Sequence, residues 1–180
     1  CMGKKVLIIS ASPRRGGNSD YLCDRFMAGA QESGHNVEKL FLGDKKINYC
    51  MACYYCKNHD GLCAIKDDVP EIIDKIIAAD IVVLSTPVYF YCMNAQLKTI
   101  IYRSVMKWTK INNKDFYLIA TAEEDDDHVM GGTIKSFQGF LECLTDVREA
   151  GHILGKGFYD KGEIIGKPIV EEAYKTGKNV

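Results

Sequence analysis

Two short runs of branched apolar residues stand out along the chain. One is Lys5-Val6-Leu7-Ile8-Ile9, ending in Ser10; the other is Ile81-Val82-Val83-Leu84, ending in Ser85. Neither alternates with polar residues, which is the pattern of strands covered on both faces of a parallel sheet. After the first run, Tyr21, Leu22, Phe26, Met27 and Ala30 recur at helical spacing, and Gly34 closes the predicted helix. Asn36 to Leu42 reads as a weaker strand. Asp68-Val69-Pro70-Glu71 has the form of a helix start, with Asp68 as cap and Pro70 in the first turn. That helix turns Ile72, Ile73, Ile76 and Ile77 towards the sheet. A helix from Gln96 to Trp108, a strand from Phe116 to Ala120, a helix over 131–147, a strand over 151–159 and a short helix from Pro168 to Thr176 complete the pattern. Trp108 and the isoleucine stripes are expected in the core. Strand and helix alternate with short connections. The expected architecture is a three-layer, doubly wound α/β sheet of five parallel strands in the order 2-1-3-4-5, formed by one domain over 1–180.

The loop after the first strand reads Ser10-Ala11-Ser12-Pro13-Arg14-Arg15-Gly16-Gly17-Asn18-Ser19. It joins the end of a buried strand to a helix N-terminus, where backbone N–H groups and the helix dipole favour an anion. Ser10, Ser12, Asn18 and Ser19 add side-chain donors, Arg14 or Arg15 adds charge, and two glycines let the backbone approach closely. Neither a triphosphate loop (GxxxxGK[ST]) nor a dinucleotide fingerprint (GxGxxG) occurs. A terminal monophosphate such as that of FMN suits the loop; the plainer alternative is a serine-capped turn.

A second loop, Ser85-Thr86-Pro87-Val88-Tyr89-Phe90-Tyr91, places three aromatics at the end of the third strand. In this strand order the first and third strands flank the topological switch point, so the two loops face each other. A flat, mostly apolar ring needs walls of this kind. The aromatics would equally serve packing beneath a helix or across a dimer contact.

The stretches SASPRRGGNS, STPVYFYCMNAQLK and GEIIGKPIVEEAYKTGK together resemble the NADPH-dependent FMN reductase family, and within it the iron–sulfur flavoprotein-like branch. The resemblance runs from Lys5 to Lys178 and implies a flavodoxin-like fold, noncovalent FMN, and a homodimer or homotetramer. By position it implies that Ser10, Ser12, Asn18 and Ser19 hold the phosphate with Arg14 beside them. Pro87, Val88, Tyr89 and Phe90 would wall the isoalloxazine, and Thr121 and Ala122 would form a third contact. This third loop departs from the family's glycine-rich pattern, since Glu123-Glu124-Asp125-Asp126-Asp127 follows.

Of eight cysteines, Cys50, Cys53, Cys56 and Cys63 form a C-x2-C-x2-C-x6-C string inside a loop at about 44–68. Two x2 steps aim three thiolates at one centre, and a fourth follows, a spacing that can supply a [4Fe–4S] cluster. It is also the spacing by which iron–sulfur flavoproteins are recognised. Reduced thiols lining a contact or pocket are a second reading, and zinc or a redox disulfide a third. Tyr49, Tyr54 and Tyr55 are expected to shield the site. Cys23 and Cys143 are expected in the core, whereas Cys92 is within reach of the flavin loop. Cys1, ahead of Met2, is set aside as extraneous. His35, His59, His128 and His152 show no ligand spacing.

A net charge of −1 gives no electrostatic case for nucleic acid or an anionic membrane, and no apolar run reaches bilayer length. The chain runs almost at once into a strand, which points to a cytoplasmic protein without a signal peptide. No nucleophile–base pair is evident, and flavin chemistry needs none. The expected function is oxidation of NADPH or NADH by bound FMN, with a quinone, flavin or other small molecule as final acceptor. A flavodoxin-type electron carrier and a flavin-linked redox sensor are the alternatives.

Overall fold

The computed structural model describes residues 3–180, so Cys1 lies outside the described residues. In chain order the elements are β1 (Lys5–Ser10), α1 (Asn18–Glu32), β2 (Asn36–Phe41), α2 (Tyr55–Asn58), α3 (Val69–Ala78) and β3 (Ile81–Tyr89). They continue with β4 (Cys92–Met93), α4 (Ala95–Arg103), β5 (Asn112–Thr121), α5 (Gly131–Glu142), β6 (Thr145–Gly155) and α6 (Pro168–Lys178). Five strands run parallel in the order β2-β1-β3-β5-β6. The two-residue β4 folds back antiparallel on the end of β3. Setting that hairpin aside, the order is the expected 2-1-3-4-5.

Both long apolar runs serve two cores at once because successive side chains on a strand point to opposite faces. In β1, Leu7 and Ile9 face the layer built from α3, α4 and α5, including Ile72, Ile73, Ile76, Leu97, Ile100 and Phe137. Val6 and Ile8 face the other layer, where Leu22, Phe26 and Ala30 of α1 meet Ala173 of α6. Helices α1 and α6 approach closely. A Cβ on Gly29 would meet the Tyr174 carbonyl oxygen at 2.0 Å, and one on Gly177 the Phe26 carbonyl oxygen at 2.0 Å. The C-terminal helix is thereby locked beside the helix that begins at the first loop.

Several expected boundaries shift. Helix α4 ends at Arg103 and gives way to 3-10 turns at Ser104–Met106 and Trp108–Lys110. Trp108 therefore leaves the helical face and is 43% exposed rather than core. Helix α5 stops at Glu142, and β6 begins at Thr145, well before the expected 151. Cys143 falls at the end of α5 and is exposed, while Cys23 is fully buried as expected. Burial pushes the Cys23 thiol up to about 12, so it stays protonated in the core. At the start of α3, Asp68 occupies the cap position but accepts from Lys46 N; Asp67 Oδ1 accepts from Val69 N instead. Among the described residues, no helix is long and apolar enough to cross a membrane.

Candidate functional site

Strands β1 and β3 are paired through to Ser10↔Ser85, and β3 is paired with β5 through to Pro87↔Thr121. Their carboxyl ends open on one crevice beside the point where the chain's winding reverses, the usual ligand position in such sheets. A cavity of about 140 Å³ lies there. Ser12, Arg14, Gly17, Asn18 and Ser19 line one side, Pro87, Val88 and Tyr89 the other, with Thr121 at the base. The structure thus brings together residues spread over more than a hundred positions.

The first loop is held in shape by its own hydrogen bonds. Ser12 Oγ donates to the Arg14 carbonyl (2.9 Å) and accepts from Arg14 N (3.1 Å), and Gly17 N donates to the same carbonyl (2.9 Å). A Cβ at Gly17 would come within 3.1 Å of Ser12 Oγ and 3.0 Å of the Arg14 carbonyl oxygen, so the tight turn requires glycine. Gly16, at φ +68°, donates its N–H to Asp20 Oδ2 (2.7 Å).

Two expected phosphate contacts have other partners. Ser10 is fully buried and donates its hydroxyl to Asp20 Oδ1 (2.6 Å), so it braces the loop from beneath instead of lining the crevice. Asn18 lines the crevice, but Nδ2 donates to the Asp160 carbonyl (2.9 Å) and Oδ1 accepts from Gly162 N (3.2 Å) and Ile164 N (3.4 Å). It fastens the segment between β6 and α6 over the loop. Of the two arginines, Arg14 stays at the crevice and donates to the Tyr159 carbonyl (3.3 Å). Arg15 turns away, paired with Asp44 and lying 4.2 Å over the Phe41 ring.

The aromatic loop is a tight β-hairpin. Val88 pairs with Met93 and Tyr89 with Cys92, leaving Phe90 and Tyr91 as the two turn residues at φ +49° and +60°. Hairpins of this length favour left-handed turns, normally with glycine or asparagine. Aromatic residues there hold strain of about 1–3 kcal/mol each. Phe90 is consequently 98% exposed and does not line the inner crevice. With Tyr89, Tyr91, Ala122 and Glu123 it lines an adjoining outer pocket of about 450 Å³. The third loop joins this wall: Tyr91 Oη donates to Glu124 (3.0 Å), and its ring stacks on His128 at 5.1 Å. Hydrogen bonding to the Glu124 carboxylate holds the Tyr91 phenol above its ordinary pKa. Thr121 and Ala122 are buried, Thr121 at the inner crevice and Ala122 at the outer pocket.

Sequence reasoning missed three kinds of residue here. Asn94 caps α4 by accepting from Leu97 N (3.2 Å), donates to the Ala11 carbonyl, and gives its own N–H to Thr86 Oγ1 (3.0 Å). One buried side chain therefore ties the hairpin to the first loop; an asparagine just before an apolar-periodic segment was the available signal. Phe158 and Tyr159 reach the crevice from the segment after β6, and Glu123 sits at its rim. Nothing local marks those three.

The cysteine loop is built differently. Cys53 is exposed, while Cys50, Cys56 and Cys63 are half-buried, and all four are free thiols. Two sulfurs already have donors: Ala52 N to Cys50 Sγ (3.4 Å) and Arg103 to Cys63 Sγ (3.2 Å). Arg103 also donates to the Asn48 carbonyl (2.9 Å) and pairs with Asp67; both side chains of that pair are essentially buried. Asp67 further accepts from Asn48 N (2.9 Å). Burial works against the Asp67 carboxylate, yet Arg103 and the backbone donors outweigh it and hold its pKa below the usual range. Tyr49, Tyr54 and Tyr55 are exposed and do not shield the thiols. Among the described residues, no group of three or more His, Cys, Asp or Glu side chains is gathered to hold a metal ion. The donors suit an iron–sulfur cluster in kind, but as folded here the loop does not fit one.

A parallel sheet with helices on both faces and a hydroxyl-rich loop at its switch point define the flavodoxin-like class. The chain belongs to the NADPH-dependent FMN reductase family, whose profile matches residues 4–129. It is 43% identical over 100 residues to an iron–sulfur flavoprotein of Methanocaldococcus jannaschii, covering 56% of this chain and 51% of that one. It is 35% identical over 114 residues to an iron–sulfur flavoprotein of Methanosarcina thermophila, covering 63% and 57%. The chain spans about half the length of these curated relatives. YwqN of Bacillus subtilis, named as a candidate NAD(P)H-dependent FMN-containing oxidoreductase, is 24% identical over 91% of this chain and 84% of its own. Among solved structures, an azoreductase from Bacillus anthracis superposes with a TM-score of 0.77 at 20% identity, covering 98% of this chain and 100% of the other. An NAD(P)H:quinone oxidoreductase from Methanothermobacter marburgensis gives 0.73 at 19%, covering 98% of each. At such identities these two establish the fold.

Proposed function

We propose that the chain is an NAD(P)H-dependent oxidoreductase that holds FMN in the crevice between β1 and β3 and passes electrons to a small-molecule acceptor such as a quinone or flavin. The observation that carries this reading is the pairing of a preformed, hydroxyl- and glycine-rich loop at a helix N-terminus with an aromatic hairpin across one crevice, in a member of this family. The cradle suits a phosphate: Ser12, Gly17, Asn18 and Ser19 line it at the N-terminus of α1, and glycine at 17 permits the tight turn that a Cβ would crowd against Ser12 Oγ and the Arg14 carbonyl. Arg14, which lines the crevice, supplies positive charge. Pro87, Val88 and Tyr89 offer one wall for a flat ring, and Thr121 the floor.

Bound FMN would supply two-electron chemistry, with the protein contributing binding and orientation. Tyr89 and Tyr91 frame the outer pocket, where a nicotinamide and then an acceptor would stack in turn. Glu124 holds the Tyr91 hydroxyl and so orients that wall. A homodimer or homotetramer in the cytoplasm is part of the proposal; the exposed hairpin and tyrosines are surfaces that a second copy would cover.

The test is direct. Purified protein supplied with FMN should turn yellow, quench flavin fluorescence, and oxidise NADPH or NADH when menadione is added. Protein that leaves free FMN unperturbed defeats the proposal. A second reading, favoured by the names of the two archaeal relatives above, is an iron–sulfur flavoprotein with a cluster on Cys50, Cys53, Cys56 and Cys63. It requires the loop to refold around the metal. Iron and sulfide analysis after anaerobic purification decides it, and protein without either returns the loop to a reduced-thiol role.

A further inference from the structure

Beneath the phosphate loop lies a carboxylate that binding does not obviously want. Asp20 sits in the first turn of α1 with its side chain 3% exposed. It shapes the loop through two hydrogen bonds, from Ser10 Oγ (2.6 Å) and from Gly16 N (2.7 Å). Without Asp20, Gly16 would lose the acceptor that fixes its left-handed backbone, and Ser10 would lose its buried partner. Yet a negative charge at this position opposes the arrival of another anion. Lys39 of β2 answers it: Nζ lies 2.8 Å from Asp20 Oδ1, 3.4 Å from the Asp20 carbonyl oxygen and 2.6 Å from Asp24 Oδ1. The Lys39 side chain is itself only 16% exposed, so solvent screens the pair weakly. Asp24 is half exposed, and Arg15, in the loop itself, is committed to Asp44.

We infer that Lys39 is a positioning residue for the phosphate: it neutralises Asp20, so that a carboxylate can shape the loop without repelling the anion the loop holds. The inference rests on the flavin reading above and adds to it a residue outside the crevice, on a neighbouring strand. Burial alone would discharge the lysine, but its bonds to Asp20 and Asp24 outweigh that and raise its pKa. The ammonium is therefore permanent at neutral pH, as a fixed counter-charge must be.

Comparing FMN with riboflavin isolates the effect, because the two differ only in the phosphate. Fluorescence titrations of both flavins would be run on the wild type, Lys39→Met, Lys39→Arg and the double variant Lys39→Met/Asp20→Asn. Lys39→Met should weaken FMN about tenfold or more while riboflavin stays within about twofold, since an uncompensated buried charge acts on the phosphate alone. Lys39→Arg should keep the FMN preference. The double variant should regain part of it, because removing both charges restores the balance. Equal loss of both flavins in Lys39→Met, no loss of either, or an arginine variant that behaves like methionine overturns the inference. Should Lys39→Met not fold, Lys39→Gln carries the same comparison; if neither folds, Lys39 is a structural residue and the inference falls. Wild-type protein that binds neither flavin refutes the flavin reading itself, a separate outcome.

Discussion

The loop between β1 and α1 and the cysteine loop each rest on one largely buried ion pair, but the pairs do opposite work. Asp20–Lys39 lies under a loop whose residues already line a cavity. Arg103–Asp67 ties together the two ends of a loop whose four cysteines are not gathered to hold a metal ion. The first region is finished by the fold: strand ends, a helix N-terminus and a tight glycine turn leave it little freedom. The second is fixed only at its base, and between Asn48 and Asp67 its side chains are mostly exposed. Preorganisation follows from how many elements converge on a segment, and only the first loop sits where strands and a helix meet.

The largest effect should come from cutting the base of the cysteine loop. Arg103→Met leaves Asp67 buried without its counter-charge and should cost about 3–5 kcal/mol in urea unfolding, whereas replacing both residues should cost clearly less. A loss under about 1 kcal/mol would show that the pair does not hold the loop. The same pair predicts an acid limb. Because the folded-state pKa of Asp67 is lowered, its stabilisation is present above the unfolded-state value and is lost as pH falls through the folded one. Asp20 is lowered too, its bonds from Lys39, Ser10 and Gly16 outweighing burial, so the loop loses its carboxylate brace, and FMN affinity with it, as pH falls through the folded-state value of Asp20. Asp67→Asn should flatten the stability limb without moving the flavin limb; if both move together, the two regions are not independent.

Asn94→Ala comes next. Losing the cap and the bond to the Ala11 carbonyl should cost about 2 kcal/mol and weaken FMN, joining stability to binding at one residue. Thermal melts with and without FMN would separate the two effects. Smallest is Phe90→Gly, which relaxes a left-handed position and should stabilise the protein by about 1 kcal/mol. Its nicotinamide-dependent turnover should nonetheless fall, if the strained hairpin serves the outer pocket. A variant that melts lower contradicts the strain argument.

Much of this arrangement is legible in the chain. The two unbroken apolar runs identify strands covered on both faces, and their alternation with amphipathic helices yields the strand order. The hydroxyl- and glycine-rich segment marks the loop that lines the crevice because its chemistry is local. Illegible were the roles taken by contact with distant segments. Ser10 and Asn18 look like phosphate donors until Asp20 and the 160–164 stretch engage them. Trp108 looks like core because an aromatic at helical spacing usually is, but α4 ends five residues earlier. Arg103, read only as part of a helix, becomes the anchor of a loop some forty residues away in sequence.

Local order alone therefore determined the layers, the strand sequence and the crevice's address, since hydrophobic periodicity and turn chemistry act within a few residues. Tertiary structure decided which polar groups face the crevice and which are spent bracing it. A side chain's hydrogen-bonding capacity is finite, and its partner is whichever group the folded chain brings within about 3 Å.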